Sequence, residues 1–185
     1  MSPSAAQTSR PGQDHGEAWV LDLPRTRSLL DERIAVLPRE PGSPPHPHNA
    51  HRVGILRRIA TARLRLARLE ELIAPAGLVV SELLTNALRH SGTQEIRLVL
   101  GIRDGFLCVV VIDGMSGAAK PRTSVDEDAE CGRGLLIVDA TAQEHGGTWG
   151  TTHDGAQTWC RFALPGTHRS TPPSHRTTTT TRSNP

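Results

Sequence analysis

Apolar side chains between Leu56 and Ile73 recur at intervals of three and four, as Leu56, Ile59, Ala62, Leu66, Leu69 and Ile73, with Arg57, Arg65 and Arg68 on the opposite side. That period predicts an amphipathic helix. Pro75 and Gly77 read as an interruption, after which Leu78 to His90 forms a second helix whose Val79, Val80, Leu83, Leu84 and Ala87 face a core. The period then falls to two. Ile96, Leu98 and Leu100 alternate with polar or smaller neighbours, Asp104-Gly105 marks a tight turn, and FLCVVVI follows as a nearly continuous apolar strand. A glycine-rich, acidic loop runs to Glu130, a helix fits Leu135 to Gln143, and Trp149 to Thr152 with Thr158 to Leu164 make a second hairpin around Asp154-Gly155.

Helix, helix, hairpin, helix, hairpin is the order of an α+β two-layer sandwich, with helices packed on one face of a mixed, mostly antiparallel sheet. WVLDL at Trp19 to Leu23 is a candidate edge strand, and PREPGSPPHPHNAH, residues 38–51, reads as a linker or surface loop because its five prolines block helix and central strand. His46, His48 and His51 in that loop lack a companion carboxylate or thiolate and a pre-organised geometry, so a solvated loop is preferred to a metal cluster. Residues 1–17 and 166–185 are poor in large apolar groups, and are expected to be disordered tails around one domain at 18–165.

Composition narrows the function classes. A chain of 185 residues, 36% apolar, can bury one ordinary core. Its net charge of +2 comes from 21 basic and 19 acidic residues without a long basic run, which argues against a dedicated nucleic-acid binder. Cys108, Cys131 and Cys160 form no CxxC pair, so neither a zinc pattern nor a disulfide framework is expected. With no charged-then-apolar leader and no apolar run near the ~18–20 residues of a membrane span, the expected location is the cytoplasm.

Three segments carry candidate chemistry. In VSELLTNALRHSG, Glu82, Asn86 and His90 are spaced by four, so a carboxylate and a carboxamide project together from an otherwise apolar helix. Such oxygens suit magnesium when phosphates and water complete its shell; a solvated helix face is the alternative. In VIDGMSGAAKP, Asp113 ends a buried strand before Gly114 and Gly117, where backbone can approach a ligand closely. A carboxylate there would accept from the exocyclic amine of adenine, although Asp-Gly also serves as a simple strand-ending turn. In CGRGLLIVDATA, Gly132, Arg133 and Gly134 stand directly before a helix, where free N–H groups and the helix dipole favour phosphate. Glycine before a helix is common for other reasons.

The succession ELLTNALRH, a strand ending in DGMSG, and GRGLLIV resembles the N box and two glycine boxes of the GHKL ATPase superfamily, with spacing nearest its anti-sigma-factor serine/threonine kinase branch. The likeness runs from about Val53 to Leu164. It implies a Bergerat-type ATP site in which Asn86 holds Mg2+, Glu82 is the catalytic carboxylate, Asp113 reads adenine, Gly117 belongs to the first glycine turn, and Gly132, Arg133, Gly134 and Leu135 lie along the phosphates. Arg89 and His90 are further phosphate neighbours under this reading, or else surface helix residues. The turn GMSGAAKP and the short acidic SVDEDAE depart from the usual pattern. Two functions follow: a kinase phosphorylating a serine of an antagonist protein and binding a sigma factor, as a homodimer, or a non-catalytic module that sequesters such a partner.

Overall fold

The computed structural model describes residues 25–38, 46–90, 92–114, 131–152 and 154–166. Strand β1 (Arg27–Ala35) is followed by helix α1 (Pro47–Leu66), a short 3-10 turn (Glu70–Leu72) and helix α2 (Ile73–His90). Then come β2 (Glu95–Arg103), β3 (Phe106–Ile112), α3 (Cys131–Glu144), β4 (Thr148–Thr151) and β5 (Gln157–Ala163). The strands form one sheet in the order β1-β2-β3-β5-β4. Every pairing among the described residues is antiparallel, so the mostly antiparallel sheet expected is present without a parallel pair there. The α+β two-layer arrangement itself is present, its core lying between the helices and the sheet's inner face.

That core follows from the two periods. Val79, Val80, Leu83 and Leu84 of α2 are at most 1% exposed and meet Leu98, Leu100, Leu107, Val109 and Phe162 from alternate positions of β2, β3 and β5. α1 and α3 pack on either side of α2, which makes α2 the central helix. With the turn before it, Glu70–Arg89 holds an 18-residue window of mean hydropathy 1.3, a length and composition that could cross a membrane. The sequence reading had found no run of that length. Here the apolar positions are taken up by the core, 56% of that window being buried in the fold.

Several boundaries differ from the sequence reading, each for a local reason. The first helix begins at Pro47, inside the segment read as loop, because proline at the first helical position sacrifices no intrahelical bond. His46 caps it, its Nδ1 accepting from the His48 N–H at 3.2 Å, while His48 and His51 ride on the helix. The break between α1 and α2 falls at Ala67–Leu69 rather than at Pro75 and Gly77. Leu69 N–H donates to Leu64 C=O and Arg68 N–H to Arg65 C=O, both at 3.0 Å, a Schellman closure with Arg68 at φ 57. Pro75 sits in the first turn of α2, where N–H groups have no intrahelical partner to lose.

Trp19 to Leu23, the candidate edge strand, lie outside the described residues; one edge of the described sheet is β1. Charges at Arg27, Asp31, Glu32 and Arg33 and a register shift between Ser28 and Leu30 hide its period while guarding an exposed edge. The chain leaving β1 is fastened to α1 by Asn49, 3% exposed, whose carboxamide accepts from Leu37 N–H and donates to Leu37 C=O, each at 3.2 Å. The β2–β3 turn is as expected, with Asp104 at φ 49 and Gly105 at φ 79 as in a type I′ hairpin. The second hairpin lies one residue earlier than expected in each strand. Both tails expected to be disordered, apart from Gly166, lie outside the described residues, as does the SVDEDAE segment.

Candidate functional site

α2 presents its polar line where α3 crosses it. Glu82 and Asn86 are one turn apart and half-buried, flanked by buried Leu83, Leu84, Ala87 and Leu88. The apolar neighbours fix the rotation of the helix, and so fix where the two oxygens point.

The GRG segment lies within the first turn of α3 rather than ahead of it, since α3 starts at Cys131. The correction keeps the physical logic, because N–H groups in a first turn have no intrahelical acceptor and sit at the positive end of the dipole. Gly134 meets the other helix directly: a Cβ there would stand 2.8 Å from Glu82 Oε2. Absence of a side chain at residue 134 thus lets a carboxylate from α2 lie against the opening turn of α3. Arg133 is exposed, and Leu135 packs against the core.

Asp113 follows the last residue of β3, a strand on which α2 packs, and its N–H donates to Ala156 C=O at 3.1 Å, holding the strand end to the second hairpin. Gly114 beside it has φ 67 and open space where a side chain would stand. Gly117 lies outside the described residues, and so does the side chain of His90 at the end of α2; Gly132 is in the first turn of α3. Arg89 is half-buried on the same helix.

The sequence reading missed one part of this region. A groove of about 390 Å3 runs between α1 and α2 up to Glu82, lined by Arg57, Arg58, Thr61, Ile73, Gly77, Leu78 and Ser81. Arg57 Nη1 donates to Ser81 Oγ at 3.3 Å, and Ser81 Oγ donates to Gly77 C=O at 2.8 Å. Of the groove's two arginines, Arg57 had registered only on the polar side of an amphipathic helix and Arg58 not at all. Their place beside Glu82 depends on how α1 packs on α2.

These features were compared with known proteins. A sequence model described as the histidine kinase-like ATPase domain matches residues 46–162, well over half of the chain. The chain belongs to that family. The match takes in α1, α2, the GRG segment and nearly all of β5. No curated protein matched the chain in a sequence search.

Membership of this GHKL family makes the domain an ATP-binding one. The residues present fit Mg-ATP by their chemistry. Glu82 and Asn86 offer hard oxygens from one helix line, the first turn of α3 offers N–H donors, and the open backbone at Gly114 follows the Asp113 carboxylate.

Proposed function

We propose that the protein is a serine/threonine kinase of the anti-sigma-factor type, acting in the cytoplasm as a homodimer on a small antagonist protein and binding a sigma factor. The observation that carries this reading is the approach of Glu82 to Gly134, which sets a carboxylate beside the helix opening suited to phosphate. Bound Mg-ATP would supply the γ-phosphoryl group and the cation that offsets its charge. Asn86 offers its carboxamide oxygen to that cation, and Asp113 accepts from the adenine amine. Glu82 takes the proton of the acceptor serine hydroxyl as its oxygen bonds to the γ-phosphorus and the bond to the ADP oxygen breaks. Arg57 and Arg58 line the groove leading to Glu82 and suit an acidic stretch of the acceptor.

The test is transfer of labelled phosphate from Mg-ATP to a cognate antagonist. Glu82→Gln is expected to keep ATP binding and lose transfer by about 100-fold or more, the usual worth of a general base. Transfer unchanged in that variant would remove Glu82 from the chemistry. Partner capture that survives in Glu82→Gln, with no transfer by the unaltered protein, would replace the kinase by a sequestering module.

A further inference from the structure

Asp113 stands just past the end of β3, and Gly114 next to it has φ 67. Glycine restrains the backbone little on that side, so the direction of the Asp113 carboxylate depends on how the strand end is held from the other. Asp113 N–H donates to Ala156 C=O at 3.1 Å. The N–H of that same peptide group belongs to Gln157 and points the opposite way, because the bond is trans. It donates to Thr152 Oγ1 at 3.1 Å. With that lone pair engaged, the hydroxyl keeps its proton for a further partner, and donates it to Asp154 Oδ1 at 2.6 Å, the short distance of a bond to a charged acceptor.

The Asp113 amide, the 156–157 peptide, the Thr152 hydroxyl and the Asp154 carboxylate thus form one chain in which every donor points the same way. Aligned hydrogen bonds polarise one another and strengthen. Closure of the turn between β4 and β5 does not need the hydroxyl. Asp154 Oδ1 also accepts from Ala156 N–H at 3.1 Å, which is the Asx turn an aspartate makes by itself, and Gly155 N–H donates to Thr152 C=O at 2.9 Å with Gly155 at φ 74. Thr152 is nonetheless 8% exposed, while Asp154 is exposed. The buried hydroxyl reaches the peptide that holds Asp113.

We infer that Thr152 is a positioning residue for base recognition: its hydroxyl fixes the 156–157 peptide, the peptide fixes the Asp113 amide, and Asp113 presents its carboxylate to the purine amine in one orientation. The inference rests on the reading of Asp113 as the adenine acceptor, and Thr152 acts through it.

Titration calorimetry of the full chain with Mg-ATP and with the magnesium complex of inosine triphosphate tests it. The inosine nucleotide keeps the phosphates, ribose and purine rings but carries a carbonyl in place of the amine, so it gives Asp113 nothing to accept. Thr152→Val is expected to weaken ATP binding by about fivefold or more, the loss of one net hydrogen bond, without weakening the inosine nucleotide. Thr152→Ser keeps the hydroxyl and is expected to keep the ATP preference. A folded Thr152→Val protein with its ATP preference intact overturns the inference. So does an equal loss for both nucleotides, which would make Thr152 a brace of the hairpin alone. Should Thr152→Val fail to fold, Asp154→Ala at the exposed end of the chain is expected to lower the ATP preference in the same direction, and an unchanged preference there overturns the inference equally. Equal binding of both nucleotides by the unaltered protein would instead remove the Asp113 reading, and the role of Thr152 with it.

Discussion

Glu82 Oε2 occupies the space in front of Gly134, 2.8 Å from where a Cβ on residue 134 would stand, so the two helices meet through a carboxylate and a missing side chain. The contact joins the two polar motifs of the chain that lie on helices and explains why α3 tolerates glycine in its first turn.

Gly134→Ala therefore separates stability from activity. Glycine inside a helix costs about 1 kcal/mol relative to alanine, and the Glu82 carboxylate is the movable end of a side chain. The melting temperature is expected to stay level or rise slightly, while ATP turnover falls by about tenfold or more as the carboxylate is displaced. Parallel thermal melts and turnover assays check it; unchanged turnover would show that the position of Glu82 against α3 is immaterial.

At the adenine end, Asp113→Asn replaces an acceptor-only carboxylate by a carboxamide. ATP affinity is expected to fall by about tenfold or more, the loss of one charge-assisted hydrogen bond of roughly 1.5–3 kcal/mol. Titration calorimetry with ATP and GTP reads it directly. Equal affinity for both nucleotides in the unaltered protein would remove Asp113 from base recognition.

Asn49 tests the fastening of β1. Its buried carboxamide satisfies both backbone groups of Leu37. Asn49→Ala leaves an N–H and a C=O without their partners, at a cost of about 1–3 kcal/mol. Chemical denaturation should show a lower midpoint with an unchanged slope.

The Asp31–Arg97 pair gives a pH signature. Arg97 donates from Nε and Nη2 to the two Asp31 oxygens at 2.7 and 2.6 Å, and this hydrogen bonding holds the Asp31 carboxyl below its ordinary value against a smaller opposing effect of burial. A carboxyl lowered on folding adds stability above its unfolded pKa, and that share is lost as pH falls through the folded value. Because the pair is partly exposed, Asp31→Asn is expected to cost only about 0.2–1 kcal/mol at pH 7. The difference from the unaltered protein should vanish in acid, and a difference independent of pH would deny the ion pair its role.

Cys108 gives a second pH signature. Burial pushes its thiol up to about 11, the neighbouring Arg161 and Arg103 working weakly the other way. Against the usual value of 9.0, the thiolate is depleted about 100-fold at neutral pH. Alkylation of Cys108 should be correspondingly slow near pH 7 and still climbing at pH 10; a plateau near pH 9 would place the thiol in solvent.

Hairpin turns, strand alternation and the apolar face of α2 were all legible in the sequence, because each is written in neighbours within a few residues. Asp104-Gly105 and the Leu98, Leu100 alternation needed nothing from the rest of the chain. So did the co-alignment of Glu82 and Asn86, which follows from helical geometry alone. The α+β class followed from the order of these elements, and the family likeness from three motifs in succession.

Tertiary structure decided what local patterns leave degenerate. Proline at residue 47 and at residue 75 gives the same breaker signal, but both fall in first turns, where the missing N–H costs nothing. The helix ends instead at Leu66, just before Arg68, whose left-handed backbone is held by the Schellman bonds and by burial of Leu69. β1 was invisible because an edge strand protects itself with charge, which erases its alternation. The nearness of Glu82 to Gly134, and of Arg57 to Ser81, joins residues on different helices. A single sequence encodes the chemistry of each partner, but only packing of one helix on another sets the distance between them.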